Sequence, residues 1–158
     1  MVEESKSRMA ALRVSLLLVF AAGLFLVPRA VAGPRIDYML NCRGCHGPQG
    51  AGAPGAAPSF RGQVGTFLSV PGGRAYLIQV PGTAQSELSD ARTAAVLNWI
   101  VREFSPGEVP ADFVPFTEAE VARYRHAPLI DVFAVRRKLI RAIREKERQA
   151  STSKPERR

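Results

Sequence analysis

Apolar residues in the second half of the chain recur every three or four positions, the spacing that puts them on one face of a helix. Ala94, Leu97, Ile100, Val101 and Phe104 form such a face, behind a Ser89 suited to capping a helix that begins at Asp90. The Asp90 carboxylate suits the positive end of the helix dipole. Val132, Val135, Leu139, Ile140 and Ile143 form a second face, opposite Arg136, Arg137, Lys138, Arg141, Arg144 and Lys146. This last helix is expected to run from an Asp131 cap to about Gln149, with Ser151 to Arg158 left as a disordered tail. Between the two lies Thr117-Glu118-Ala119-Glu120, a capping-box sequence, so a helix is expected from about Glu118 to Arg125, stopping before Pro128.

Upstream the pattern is shorter and more broken. Pro34 suits a first helical turn, and Ile36, Met39 and Leu40 give an apolar stripe that runs into Cys42. Val64, Phe67 and Leu68 predict one turn, and Arg74 to Val80 a short helix bounded by Gly73 and Pro81. Pro48 to Gly55 is too rich in Gly and Pro for either regular element. No stretch alternates convincingly, so the fold class expected is all-α.

At the N-terminus the pattern changes kind. Lys6, Arg8 and Arg13 precede a fourteen-residue apolar run from Val14 to Val27, then Pro28 and Ala30-Val31-Ala32. A basic start, a run short of the roughly 20 residues that span a bilayer, and an A-x-A ending describe a secretory signal, residues 1–32. An uncleaved anchor is the other reading, and either one delivers the rest of the chain across a membrane. Charge is uneven too. The chain carries a net +8, and residues 132–158 hold ten Lys or Arg against three Asp or Glu. Ser105-Pro106-Gly107 marks a turn between a Gly- and Ala-rich region, 33–105, and a region that opens with prolines, 106–131, before the basic helix and tail, 132–158. Pro106 to Pro115 is expected to be an extended strap anchored by Val109, Phe113, Val114 and Phe116.

The chemistry is concentrated in Asn41-Cys42-Arg43-Gly44-Cys45-His46-Gly47. Two cysteines two residues apart, with His directly after the second, form the attachment sequence of a c-type haem. Each thiol adds to one vinyl group of the porphyrin, and the following imidazole lies within reach of the iron from the proximal side. A thioredoxin-like couple would need a βαβ pattern, which is not visible. A structural zinc site would need a fourth ligand, and a simple disulfide would leave His46 without a role. Cys42 and Cys45 are therefore the expected haem attachments and His46 the expected iron ligand. A region as short as 33–105 buries little surface by itself. A covalently held haem c would supply its apolar centre, surrounded by Phe60, Phe67, Leu68, Tyr76, Leu77 and Leu97.

From Tyr38 through Gly47 the sequence resembles the haem segment of the small class I cytochromes c. Gly50, Gly52 and Pro58 resemble positions that follow it in that family, and Leu88-Ser89-Asp90 with Leu97-Asn98-Trp99-Ile100 resembles the family's last helix. The resemblance covers roughly residues 34–104. It implies a cytochrome c-like domain of short helices and loops, here followed by a two-helix basic C-terminal extension, with the last family helix crossing the first. It also implies that the Pro58 carbonyl accepts a hydrogen bond from the proximal imidazole. The sequence departs from the family where a methionine usually supplies the sixth iron ligand. The corresponding segment reads Gln79-Val80-Pro81-Gly82-Thr83-Ala84-Gln85, and no methionine follows Met39.

Three sources of a sixth ligand stay open: His126 as a distal iron ligand, a weak ligand from the Gln79–Gln85 loop, or an open position. His126, beside Ala127-Pro128 at a helix end, equally suits a plain helix-terminal cation. The function expected is an exported mono-haem electron carrier, periplasmic or membrane-associated, rather than an enzyme. The alternative is a small-ligand sensor or peroxidase-like protein with an open distal position. The partners expected are a dehydrogenase or oxidase with an acidic docking surface, and a membrane surface touched by the basic helix. Nucleic acid is not an expected partner of an exported haem protein.

Overall fold

The computed structural model describes residues 33–153, so the signal read over 1–32 and the end of the basic tail lie outside the described residues. Helix α1 spans Pro34–Asn41 and α2 is the single turn Arg43–His46. A 3-10 helix covers Val64–Ser69, followed by α3, Gly73–Gln79, and the one-turn α4, Pro81–Ala84. Then come α5, Asp90–Phe104, a 3-10 turn at Pro106–Glu108, α6, Glu118–Arg125, and α7, Val132–Thr152. Among the described residues the sole β feature is an isolated bridge between Ala53 and Ala57. The all-α expectation holds.

The caps follow their sequence signals. Ser89 Oγ accepts from the Arg92 amide, Thr117 Oγ1 from that of Glu120, and an Asp131 oxygen from that of Ala134 at 2.8 Å. Helix α5 buries Thr93, Ala94, Val96, Leu97, Ile100 and Val101. It crosses α1, but not through the stripe expected on α1. Ile36 and Leu40 face solvent, Leu40 at 75% exposure, and the buried residues are Asp37 and Tyr38. The physical reason is that α5 offers specific partners to both. Tyr38 packs 5.1 Å from the rings of Trp99 and Phe104 and donates its hydroxyl to the Gly47 carbonyl, while Asp37 pairs with the Arg92 guanidinium.

Residues 33–153 belong to one compact unit, and the Ser105-Pro106-Gly107 turn changes direction without breaking the packing. Ser105 is fully buried; its hydroxyl accepts from the Gly65 amide and donates to Glu108. The following strap is held to α5 by Asn98, whose amide both donates to and accepts from the Phe116 backbone, at 2.9 and 2.7 Å. Phe116 is buried and Val109 and Phe113 are partly so, but Val114 is 67% exposed and anchors through its carbonyl, which accepts from Arg74 at 2.7 Å. Arg74 also pairs with Glu120 of α6 at 2.6 Å. Helix α7 lays Leu139 and Ile143 against the 3-10 helix and α3, and runs three residues past Gln149, through part of the stretch read as tail. Leu139 and Ile143 are thus spent on their own domain, and Arg137, Lys138, Arg141 and Arg144 are outward.

Candidate functional site

Cys42 closes α1, its amide donating to the Tyr38 carbonyl at 2.9 Å, and the chain turns at once into α2. Cys42, Cys45 and His46 therefore project from one turn of backbone. The loop after Gly47 folds back on itself through the Ala53–Ala57 bridge. Gly52 sits at φ +74°, and a Cβ there would stand 2.4 Å from the Ala57 carbonyl oxygen, so only glycine fits. That fold-back brings the Pro58 carbonyl 3.0 Å from His46 Nδ1, as the family resemblance implied. A carbonyl only accepts, so this bond places the ring proton on Nδ1 and leaves the Nε2 lone pair free. Burial holds the His46 pKa below its usual value, against the opposing pull of the Pro58 bond, so the imidazole is neutral at neutral pH.

All three residues line one cavity of about 250 Å³. Both cysteines are free thiols; Cys45 is exposed at the rim, and Cys42 is half-buried. Burial, then the nearby Asp37 carboxylate and Cys45, push the Cys42 thiol up to about 11. The rest of the lining is mostly apolar, and five of the six residues expected around a porphyrin belong to it: Phe60, whose ring stacks on that of His46 at 3.8 Å, and Phe67, Tyr76, Leu77 and Leu97. Leu68 does not: it borders a separate groove with Arg74 and Phe113. Sequence reading missed Val64, Val80, Ile100, Val132 and Arg136, which also line the cavity. For Arg136 the signal was its position, four residues after Val132 and three before Leu139, at the edge of an inward face. Its guanidinium lies 6.0 Å from the Phe67 ring centre, and its positive charge opposes the burial that raises the Tyr76 pKa.

His126 is not brought to this cavity. It caps the C-terminal end of α6, is exposed, and is absent from the lining. Gln79 turns its amide to the Ala127 carbonyl at 2.9 Å, Gln85 is exposed and off the wall, and of the loop's polar side chains Thr83 alone reaches the lining. Met39 borders a different groove, beside Trp99 and Arg61.

The residues present fit a covalently held haem. Two free thiols, a neutral imidazole with an unengaged Nε2 and one guanidinium line the same mostly apolar cavity. Among the described residues no three His, Cys, Asp or Glu side chains converge as a metal-binding group. No described helix is long and apolar enough to cross a membrane.

No family model matches the chain. Cytochrome c-552 of Thermus thermophilus is 36% identical to it over 119 residues, an alignment covering 63% of this chain and 91% of the relative. A second cytochrome c-552 sequence of Thermus thermophilus shows the same 36% identity over 119 residues and is covered to 80%. With an all-helical fold and a Cys-x-x-Cys-His turn set on an apolar cavity, this chain belongs to the c-type cytochromes of the cytochrome c-552 family, whose cofactor is covalently bound haem c.

Proposed function

We propose that the protein is an exported single-haem electron carrier. Cys42 and Cys45 would hold the ring by thioethers, and His46 would offer its Nε2 to the iron. The observation that carries this reading is the joint placement of the three side chains on one cavity wall, with His46 oriented by the Pro58 carbonyl at 3.0 Å. When bound, haem supplies a one-electron couple between two iron oxidation states.

The chain's own residues do the rest. Pro58 fixes the imidazole tautomer and, by polarising the Nδ1–H bond, raises the basicity of Nε2. Val64, Phe67, Leu77, Leu97 and Ile100 exclude water from the cavity, which keeps its dielectric low and limits reorganisation when charge changes. Arg136 brings a positive charge to the lining, where it would meet the ring's carboxylates. The exposed Cys45 puts the attachment segment at the protein surface, where a partner can approach.

The partner we propose is an acidic redox protein, a dehydrogenase or oxidase, outside the cytoplasm. Supporting it is the outward face of α7, where Arg137, Lys138, Arg141, Arg144 and Arg148 are all exposed. Charge of this kind steers encounter and makes the association rate fall with salt. The test is stopped-flow electron transfer to an acidic acceptor over a range of ionic strength, on the native protein and on an Arg137→Glu, Arg141→Glu, Arg144→Glu variant. The expected result is a rate that falls with salt in the native protein and falls at low salt in the variant. Equal rates for both proteins at all salt concentrations would refute the docking face.

A further inference from the structure

We infer that this chain leaves the sixth coordination position of its haem iron to a small neutral exogenous ligand of the carbon monoxide or nitric oxide kind. The inference rests on the haem attachment proposed above, and concerns what the rest of the cavity wall offers the iron.

Strong neutral axial ligands are the thioether of Met, the imidazole of His and the amine of an uncharged Lys. The chain has no methionine after Met39 and only two histidines. Among the described residues that line the cavity, His46 is the single imidazole, and no Met or Lys is present. The two groups that could have substituted are each tied elsewhere.

The Gln79–Gln85 loop and the residues just after it are fastened by the end of α6 and the turn that follows it. The Arg125 guanidinium donates to the carbonyls of Ser86 and Leu88 at 2.7 Å, pairs with Asp90 at 2.7 Å, and makes longer contacts to the Ala84 carbonyl at 3.4 Å. Gln79 is held twice, by its side chain on the Ala127 carbonyl and by its own carbonyl accepting from the Leu129 amide at 3.0 Å. His126 sits inside the same set of bonds: Arg125 before it is engaged chiefly with Ser86, Leu88 and Asp90, and Ala127 and Leu129 after it are engaged with Gln79. Swinging His126 to the iron would break several charge-assisted and backbone bonds together. What this loop presents to the cavity is Val80, Gly82 and Thr83. A threonine hydroxyl is a poor iron ligand, but it can donate a hydrogen bond to a bound diatomic molecule. The surrounding Val64, Phe67, Leu77 and Leu97 favour a neutral guest over an ion that would have to shed its hydration.

The test uses the full chain, matured with its haem, reduced with dithionite and exposed to carbon monoxide, beside a His126→Ala variant. An alkaline pyridine spectrum of the same samples reports covalent haem independently of the sixth position. The expected result is covalent haem in both proteins, a high-spin ferric form, and complete conversion of the reduced Soret band to a carbon monoxide form at the same rate in both. Refractory native protein with a reactive His126→Ala variant would overturn the inference and make His126 the ligand. Refractory behaviour of both proteins would overturn it in favour of another internal ligand. Lack of covalent haem in the pyridine spectrum would bring down the attachment reading and the inference with it, and is distinguishable from the other outcomes.

Discussion

On one side of the cavity Cys42, Cys45, His46 and Pro58 come from a single stretch of chain, and backbone geometry alone sets their positions. On the other side Val64, Leu77, Leu97, Val132 and Arg136 come from separate segments, brought together by ion pairs and hydrogen bonds between residues far apart in sequence. The attachment side is a local device: α2 is one turn long, and the fold-back at Gly52 aims one carbonyl at one ring nitrogen. The opposite side is a tertiary construction, in which Arg74, Asn98 and Arg125 fasten the strap and α6 to the earlier helices. Chemical identity is written into the first side, and the second supplies most of the apolar lining.

The strongest way to break the first side is to remove its thiols. A Cys42→Ala, Cys45→Ala protein should carry no haem after denaturing electrophoresis and peroxidase staining, and should melt well below the native protein because its core loses the large apolar body that fills it. The second side should fail at Arg125. Its side chain is 10% exposed and serves three carbonyls and Asp90, so Arg125→Ala should lose on the order of 3 kcal/mol in chemical denaturation, leaving Asp90 and buried carbonyls unpaired. Covalent haem should survive that change, which separates the two sides experimentally.

Gly52→Ala strikes the local device without touching its chemistry. With φ at +74° and a carbonyl oxygen 2.4 Å from the new Cβ, it should lower stability by about 2 kcal/mol. The same change should disturb the His46–Pro58 bond, visible as a changed ring-proton signal. Alkylation of the chain before haem is attached should sharpen the contrast between the two thiols. Cys42 is half-buried with its pKa raised to about 11, so it stays a thiol at neutral pH and reacts slowly, and its rate should climb as pH rises toward that value. Exposed Cys45 should be modified first by iodoacetamide at about pH 7, as peptide mapping would show. The smallest effect is expected at Thr93, whose hydroxyl is buried without a partner on α5. Thr93→Val removes that unpaired group, and should raise stability by roughly 1 kcal/mol in denaturant melts.

This contrast also explains what could be read from the sequence. The haem segment, the three caps and the bounds of α6 were legible because their signals lie within a few residues of the structure they produce. Asp37 and Tyr38 were not legible as the buried face of α1, because their partners Arg92, Trp99 and Phe104 lie far along the chain and apolar counting favours Ile36 and Leu40. Val114 looked like an anchor, and its backbone rather than its side chain is the part that is held. Arg136 was placed on a solvated face by its charge, whereas the docking of Leu139 and Ile143 turns it to the cavity. His126 lies one residue from Arg125, and nothing local distinguishes a histidine free to reach the iron from one locked into a loop clamp.

The most direct measurement of the central claim is peptide mapping of the matured protein by mass spectrometry. The account predicts one haem on the peptide that contains Cys42 and Cys45, joined through both sulfurs, with neither thiol open to alkylation under denaturing conditions. A matured protein whose Cys42 and Cys45 are both alkylated, or are joined to each other, would contradict it.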